Sequence, residues 1–309
     1  MKLNKVLIFG GSGFIGKHYR AHFNNLGVET IVADITKEEN YKSNEEFVKT
    51  DVRKAITLKI EKVDLLINLA AVHTTPGHKD SEYYETNVLG AKNVCAFAAK
   101  NNIKNMLFTS SISIYGPSEK RKFEENIPQP VSAYGISKLQ AESIHSLWRA
   151  SSSERKLLIL RPALVFGEGE NGNFDRLEAL IKKGLMIYPG RKNVIKSCIN
   201  VDQLVTSSLS IFQKMNSKQE IINFAYEKRI ELQFIVNKLK TKHKKNVLSF
   251  KIPLFVVKAL MVLLSTVKFF LNEKSTLHPK RIEKLTKSTN ISGKKLQKLV
   301  SPEKIEFQL

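Results

Sequence analysis

Through the first half of the chain, short unbroken apolar runs take turns with longer stretches whose apolar residues return at helical spacing. The runs at 6–9, 30–33, 47–49, 65–69, 105–109 and 157–160 predict strands, and the stretches 14–26, 81–100 and 133–148 predict helices. A strand that is apolar at every position is buried on both faces, the environment of a parallel sheet with helices above and below. The pattern therefore predicts an α/β fold built on a doubly wound parallel sheet. Beyond Pro162 the alternation loosens: 174–183 reads as helix, 182–193 as a hairpin, 194–201 as strand and 221–225 as a further sheet strand. We expect residues 1–165 to form the sheet domain, with strands added from about 194–226. Residues 166–193 and 227–309 would form a smaller, interleaved C-terminal lobe that binds substrate.

Composition and charge change this picture in three places. The apolar run after MKLNK spans only about four residues, too short for a leader segment, so it reads as the first buried strand. Cys95 and Cys198 both lie in apolar runs, which predicts core thiols in a reducing, cytoplasmic setting and no disulfide framework. The net charge of +21 is concentrated late: residues 228–309 hold 19 Lys/Arg against 5 Asp/Glu, which leaves +14 there. Such an asymmetry suits an anionic partner, whether substrate phosphates or an acidic membrane surface, and equally a solvated lysine-rich surface. No zinc-finger spacing, helix-turn-helix signature or RNP-type aromatic motif accompanies it, which sets nucleic acid aside. Residues 252–271 are the most apolar segment, but Lys258 and Lys268 fall inside it. A lysine near a bilayer centre costs ~2.5–3.5 kcal/mol, so spanning is disfavoured. A helix there would carry Lys251, Lys258, Ser265 and Lys268 on one stripe, as in a helix lying on an anionic membrane surface or packed on its own lobe.

The candidate chemistry begins at Gly10, Gly11, Gly13 and Gly16, in a G-x-G-x-x-G turn between the first strand and the first helix. Glycine lets the backbone approach a pyrophosphate, which rests on the positive end of the following helix. Asp34 ends the second predicted strand, 18 residues after Gly16. A carboxylate there hydrogen-bonds a ribose 2′-hydroxyl and repels a 2′-phosphate, so NAD is expected over NADP. Tyr134 and Lys138 stand four apart on a predicted helix, hence on one face. A cation beside a phenol, whose ordinary pKa is about 10, favours phenolate, and an oxidised nicotinamide would add to that effect. Tyr134 is thereby a candidate base on a sugar or alcohol hydroxyl. His73 and His78 form no ligand pattern with nearby Cys or carboxylates, so no metal is expected.

From GGSGFIG through TDVRK, NLAAVH, YYETNVLGAKNV, FTSSISIYG and YGISK to RPALVFGEG, the chain resembles the extended short-chain dehydrogenase/reductase superfamily, in its sugar epimerase/dehydratase branch. The resemblance implies a Rossmann-like domain with Gly10, Gly13, Phe14, Ile15, Gly16 and Asp34 on the cofactor. It further implies that Asp51 and Val52 flank the adenine and that Leu69, Ala70, Ala71, Asn87 and Pro162 line the cofactor cleft beside Asn68. Ser111 would hydrogen-bond the reacting oxygen, Tyr134 would be the base, and Lys138 would hold the nicotinamide ribose. His73, Ser111, Ser113, Leu164, Asn173 and Lys196 are the implied substrate contacts.

Family members oxidise a sugar hydroxyl with NAD and differ in the fate of the resulting keto sugar. Dehydratases place Asp and Glu directly after the catalytic hydroxyl, where this chain has Ile112 and Ser113, and Asp34 disfavours NADP-dependent reductases. The resemblance then implies a 4-epimerase of a UDP-hexose or UDP-N-acetylhexosamine in surface-polysaccharide biosynthesis. Leu164 replaces an expected asparagine and Lys196 an expected arginine in the diphosphate grip. The run RPALVFGEGENGNF, the KKGLMIYPGRKN hairpin and the apolar segment 252–271 also resemble a bacterial subgroup that acts on N-acetylglucosamine linked to polyprenyl diphosphate at the inner membrane face. A homodimer through 81–100 and 133–148 is implied as well. A catalytically silent NAD-sensing scaffold is the non-enzymatic alternative.

Overall fold

The computed structural model describes residues 2–38, 40–74, 77–170, 172–257, 259, 286–300 and 305–307. The first half runs β1 (Lys5–Phe9), α1 (Phe14–Asn25), β2 (Glu29–Asp34), β3 (Glu45–Lys49), β4 (Leu65–Asn68), α2 (Asp80–Tyr83), α3 (Gly90–Lys100), β5 (Asn105–Thr109), β6 (Ser118–Lys122) and α4 (Ala133–Ala150). The second runs β7 (Lys156–Pro162), β8 (Leu164–Phe166), α5 (Asn173–Lys182), β9 (Leu185–Pro189), β10 (Cys198–Asn200), α6 (Val201–Lys214) and β11 (Gln219–Phe224). It ends with α7 (Leu232–His243), β12 (Leu248–Ile252), β13 (Thr289–Ile291) and α8 (Lys294–Leu299).

Seven strands form one parallel sheet in the order β11-β7-β5-β4-β1-β2-β3. Successive side chains of β1 go to opposite faces. Val6 and Ile8 pack with Tyr19 and Phe23 of α1 in one cluster, while Leu7 and Phe9 pack with Val94 and Phe97 of α3 in the other. Each face is covered over the inner strands, which is why those are largely apolar, while the edge strand β3 (EEFVK) is not. After β3 the chain crosses back to β4 on the other side of β1, and the crevice beyond the carboxyl ends of β1 and β4 is the switch point where such sheets bind ligands.

Three predicted elements come out differently. The single helix at 81–100 is interrupted by a wide π turn, Tyr84–Leu89, between α2 and α3. The expected strand at 194–201 reduces to β10, which pairs with β8 in a separate two-stranded sheet, so only β11 is added to the central one. The expected hairpin at 182–193 contains one strand, β9, whose partner is the distant and parallel β12. β13 pairs with β6. Beyond Val257 and Ala259, the amphipathic segment predicted at 252–271 lies outside the described residues.

Candidate active site

The turn after β1 is fixed by its own backbone. Gly10 adopts φ +77°, and a Cβ there would meet the Ala70 nitrogen at 2.7 Å, so the loops after β1 and β4 touch only because this residue has no side chain. Gly13 opens α1 without a side-chain cap, and the first turn carries no acidic residue. The helix therefore presents free N–H groups and the positive end of its dipole to the crevice. Asp34, at the end of β2, accepts from the Ser12 nitrogen at 3.0 Å and the Thr36 nitrogen at 3.1 Å, which aims its carboxylate at the same crevice. An uncapped helix start, a backbone too close for side chains and a fixed carboxylate fit the pyrophosphate and ribose of NAD. Asp51 is held by Arg53 at 2.8 Å, and Val52 is buried.

The reacting side chains gather at the end of β5. Ser111 caps the short helical turn Ile112–Tyr115 by accepting from the Ser113 nitrogen at 3.1 Å, and the two hydroxyls lie 3.1 Å apart. α4 begins directly against this turn: a Cβ on Gly135 would meet the Ser113 carbonyl at 2.6 Å. That contact delivers Tyr134 to Ser111, and their side chains hydrogen-bond. Part of the Tyr134 ring stays accessible while its hydroxyl lies deep, and the Tyr83 ring sits 6.1 Å away.

The electrostatics depart from the sequence-based expectation. Burial pushes the Tyr134 phenol up to about 12, with Ser111 pulling in the other direction. The ammonium of Lys138 is not on the phenol; it donates to the Thr109 carbonyl at 2.7 Å. Burial, opposed by Glu142, pushes Lys138 down to about 7. The chain's own groups therefore do not keep Tyr134 ionised near neutral pH. The positive charge of an oxidised nicotinamide is the remaining source of acidity.

Beneath these residues lies a buried polar layer in which Asn68 and Asn87 were expected and His145, Glu142 and the Arg161 pairing were missed by sequence reasoning. His145 keeps one nitrogen on the Ala141 carbonyl at 2.7 Å and the other on the Asn68 amide at 3.1 Å, and it stacks on Phe108 at 3.8 Å. Burial pushes it down to about 4, so it is neutral, donates to Ala141 and accepts from Asn68. Asn68 in turn accepts from the Ala70 nitrogen at 3.3 Å, fixing the cleft loop. Asn87 clasps both backbone groups of Val72, at 2.9 and 3.1 Å, and donates to Ser137 at 2.9 Å. Arg161 forms a buried bidentate pair with Glu142, at 2.9 and 2.7 Å, and also donates to Tyr115 at 2.7 Å. Lys138, Glu142 and His145 recur at i, i+4 and i+7 behind Tyr134, a polar stripe on the inward face of α4 that could have been read from the chain.

The candidate substrate residues are less closely grouped. His73 lies at the surface of the loop after β4, where desolvation and the nearby Lys138 ammonium hold it below its usual pKa. Leu164 opens β8, next to Pro162 at the end of β7. Asn173 is exposed at the start of α5, where the Glu170 carboxylate accepts four backbone N–H groups, from Gly172 to Asp175. The Lys196 ammonium donates to the Lys287 carbonyl at 2.7 Å.

Residues 6–225 match the model of the NAD dependent epimerase/dehydratase family. The chain is 30% identical over 258 residues to an N-acetyl-alpha-D-glucosaminyl-diphospho-ditrans,octacis-undecaprenol 4-epimerase of Escherichia coli O157:H7, with 81% of this chain and 76% of that protein covered. It is 26% identical over 223 residues to a GDP-6-deoxy-D-talose 4-dehydrogenase of Aggregatibacter actinomycetemcomitans, over 70% of this chain and 73% of that one. A UDP-glucose 4-epimerase of Thermotoga maritima, solved with UDP-glucose, superposes with a TM-score of 0.71 over 81% of this chain and 85% of its own, at 23% identity, a likeness of fold. With 220 consecutive residues matched, glycine turn and serine-tyrosine-lysine cluster included, the chain belongs to the NAD-dependent epimerase/dehydratase family.

Proposed function

We propose that the chain is an NAD-dependent 4-epimerase of a diphosphate-linked hexose or N-acetylhexosamine, in bacterial surface-polysaccharide biosynthesis. The observation that carries this reading is the Ser111–Tyr134 hydrogen bond at the end of β5, with Lys138 held on the Thr109 carbonyl, in a sheet whose first strand leads into the uncapped start of α1. Gly10, Gly13, Phe14, Ile15, Gly16, Asp34, Asp51, Val52, Leu69, Ala70, Ala71, Asn87 and Pro162 would hold NAD. When bound, NAD accepts and returns a hydride at the sugar carbon and lends positive charge to the site. Tyr134 takes the proton from the sugar hydroxyl and returns it after the 4-keto sugar has turned its other face. Ser111 hydrogen-bonds the reacting oxygen, and Lys138 orders the ribose and the Thr109 carbonyl. Both named sequence relatives act at position 4. Ile112 packs on the apolar cluster of Ile114, Tyr115 and Ala163, so no carboxylate stands where elimination of water would need one.

A lipid carrier is favoured by the undecaprenol-linked substrate in the name of the Escherichia coli relative and by the basic, apolar C-terminal segment. On this reading the enzyme works at the cytoplasmic face of the membrane, with 252–271 against anionic lipid. No described helix is long and apolar enough to cross a bilayer. A homodimer through 81–100 and 133–148 is supported by Leu89, in the π turn before α3, and by Leu147 of α4, exposed at 43% and 70%. Product analysis after incubation with UDP-N-acetylglucosamine and with its polyprenyl-diphosphate counterpart tests the proposal. Formation of the 4-epimer from either supports epimerisation and names the carrier; NAD-bound protein that converts neither overturns it.

A further inference from the structure

The β9–β12 pair is apolar on the side where a surface sheet is normally polar. Met186 and Tyr188 point inward and are 4% and 2% exposed, while the alternating Leu185 and Ile187 are 37% and 44% exposed. In the parallel register Leu248 stands beside Leu185 and Phe250 beside Ile187, and these two are 68% and 52% exposed. Phe255, a few residues on, is exposed at 74%. A contiguous outward face of this composition marks an interaction surface.

The rim of the patch is cationic. Segments 182–192 and 243–257 together hold seven Lys/Arg and no Asp or Glu. Lys183, Lys244, Lys245 and Lys251 are exposed among them. The neighbouring carboxylate, Glu178 of α5, is taken up by Lys182, Lys242 and His243 at 3.5, 3.7 and 2.6 Å.

We propose that this face docks on an anionic lipid bilayer, with Leu185, Ile187, Leu248 and Phe250 in the headgroup–acyl boundary and the lysines against lipid phosphates. Charge selects the occupant. A second copy packed symmetrically on this face would set cation against cation. The adjoining stretch of chain, 258–284, carries six Lys/Arg against two Glu and so offers the cationic rim no charge complement. A phosphate surface does. The proposal rests on the lipid-linked reading of the substrate, since docking here would bring the site to a carrier that stays in the membrane.

Flotation of the full chain with vesicles tests it without turnover. Phosphatidylcholine vesicles with about one-third phosphatidylglycerol should carry the protein, and pure phosphatidylcholine at least ten-fold less of it. Raising salt toward 1 M, where the screening length falls to about 3 Å, should release it. The I187E/F250E and K244E/K245E variants should each lower the bound fraction at least ten-fold while binding NAD as the wild type does. I187S/F250S serves if the first double variant does not bind NAD. Absence of binding to anionic vesicles overturns the proposal, as does undiminished binding by variants that retain NAD. A wild-type dimer made monomeric by these changes assigns the face to a second copy and likewise overturns it. Protein that floats but epimerises no diphosphate-linked sugar refutes the assigned reaction and leaves the surface standing; protein that epimerises but does not float does the reverse.

Discussion

On the proposed mechanism the phenol of Tyr134 carries the chemistry, yet the chain alone holds it protonated, pushed up to about 12 by burial. Binding of NAD should therefore lower its pKa, seen as phenolate ultraviolet absorbance appearing at lower pH in the complex than in the free protein. Tyr134→Phe should retain NAD and lose ~10²-fold or more in turnover, the scale of a lost acid/base group. Lys138 imposes a sign on stability. Its folded pKa of about 7 lies below an ordinary value of 10.5, so between those limits the unfolded chain holds the extra proton. Stability should then rise with pH across that window, and urea melts of Lys138→Met should lose the rise. Above about 10 the raised Tyr134 acts oppositely, because there the folded state keeps a proton the unfolded one has lost. Glu142→Ala should cost ~3–5 kcal/mol by leaving Arg161 buried without its partner. At this scale residue type alone named the candidate chemistry, as at Gly10, Asp34, Tyr134 and Lys138. It was silent on which acceptor Lys138 would choose, because the Thr109 carbonyl is 29 residues away and reaches Lys138 only through the packing of α4 on β5.

Among the elements, the strands of the central sheet were legible because burial on both faces writes an unbroken apolar run. The π turn at Tyr84–Leu89 was not, since YETNVLGAKNV keeps ordinary helical spacing and the wide turn arises from long-range bonds of Asn87 to Val72 and Ser137. Asn87→Ala should cost ~1–3 kcal/mol through the polar groups it strands. It should also raise the Kd for NAD more than it lowers kcat, because the loop it clasps is the one proposed to line the cofactor cleft; titration and steady-state kinetics separate the two. β8 and β10 are three residues each and have no period to read; only their mutual pairing makes them strands. α5 starts on the carboxylate of Glu170. Glu170→Ala should fray it at a cost of ~1–2 kcal/mol, measurable as faster amide exchange at Phe174 and Asp175.

At the scale of the whole molecule, the loosening of the apolar alternation after Pro162 marked where the central sheet gives way to small two-stranded pairs, whereas the parallel partnerships β9–β12 and β6–β13 join segments too far apart in the chain for local pattern to reveal. On the proposed dimer, Leu147→Glu at the exposed face of α4 should yield a monomer by sedimentation while leaving NAD binding intact. The β6–β13 union also sets a schedule. Asn290 donates to the Glu119 carbonyl across 171 residues. A ribosome adding ~5–20 residues per second needs on the order of 10 to 30 s to supply that partner. Throughout that interval a growing polypeptide carries the bare border of Ser118–Lys122, a few residues ahead of the helix that bears Tyr134, so this half-made enzyme depends on chaperones or on its lysines to stay unaggregated.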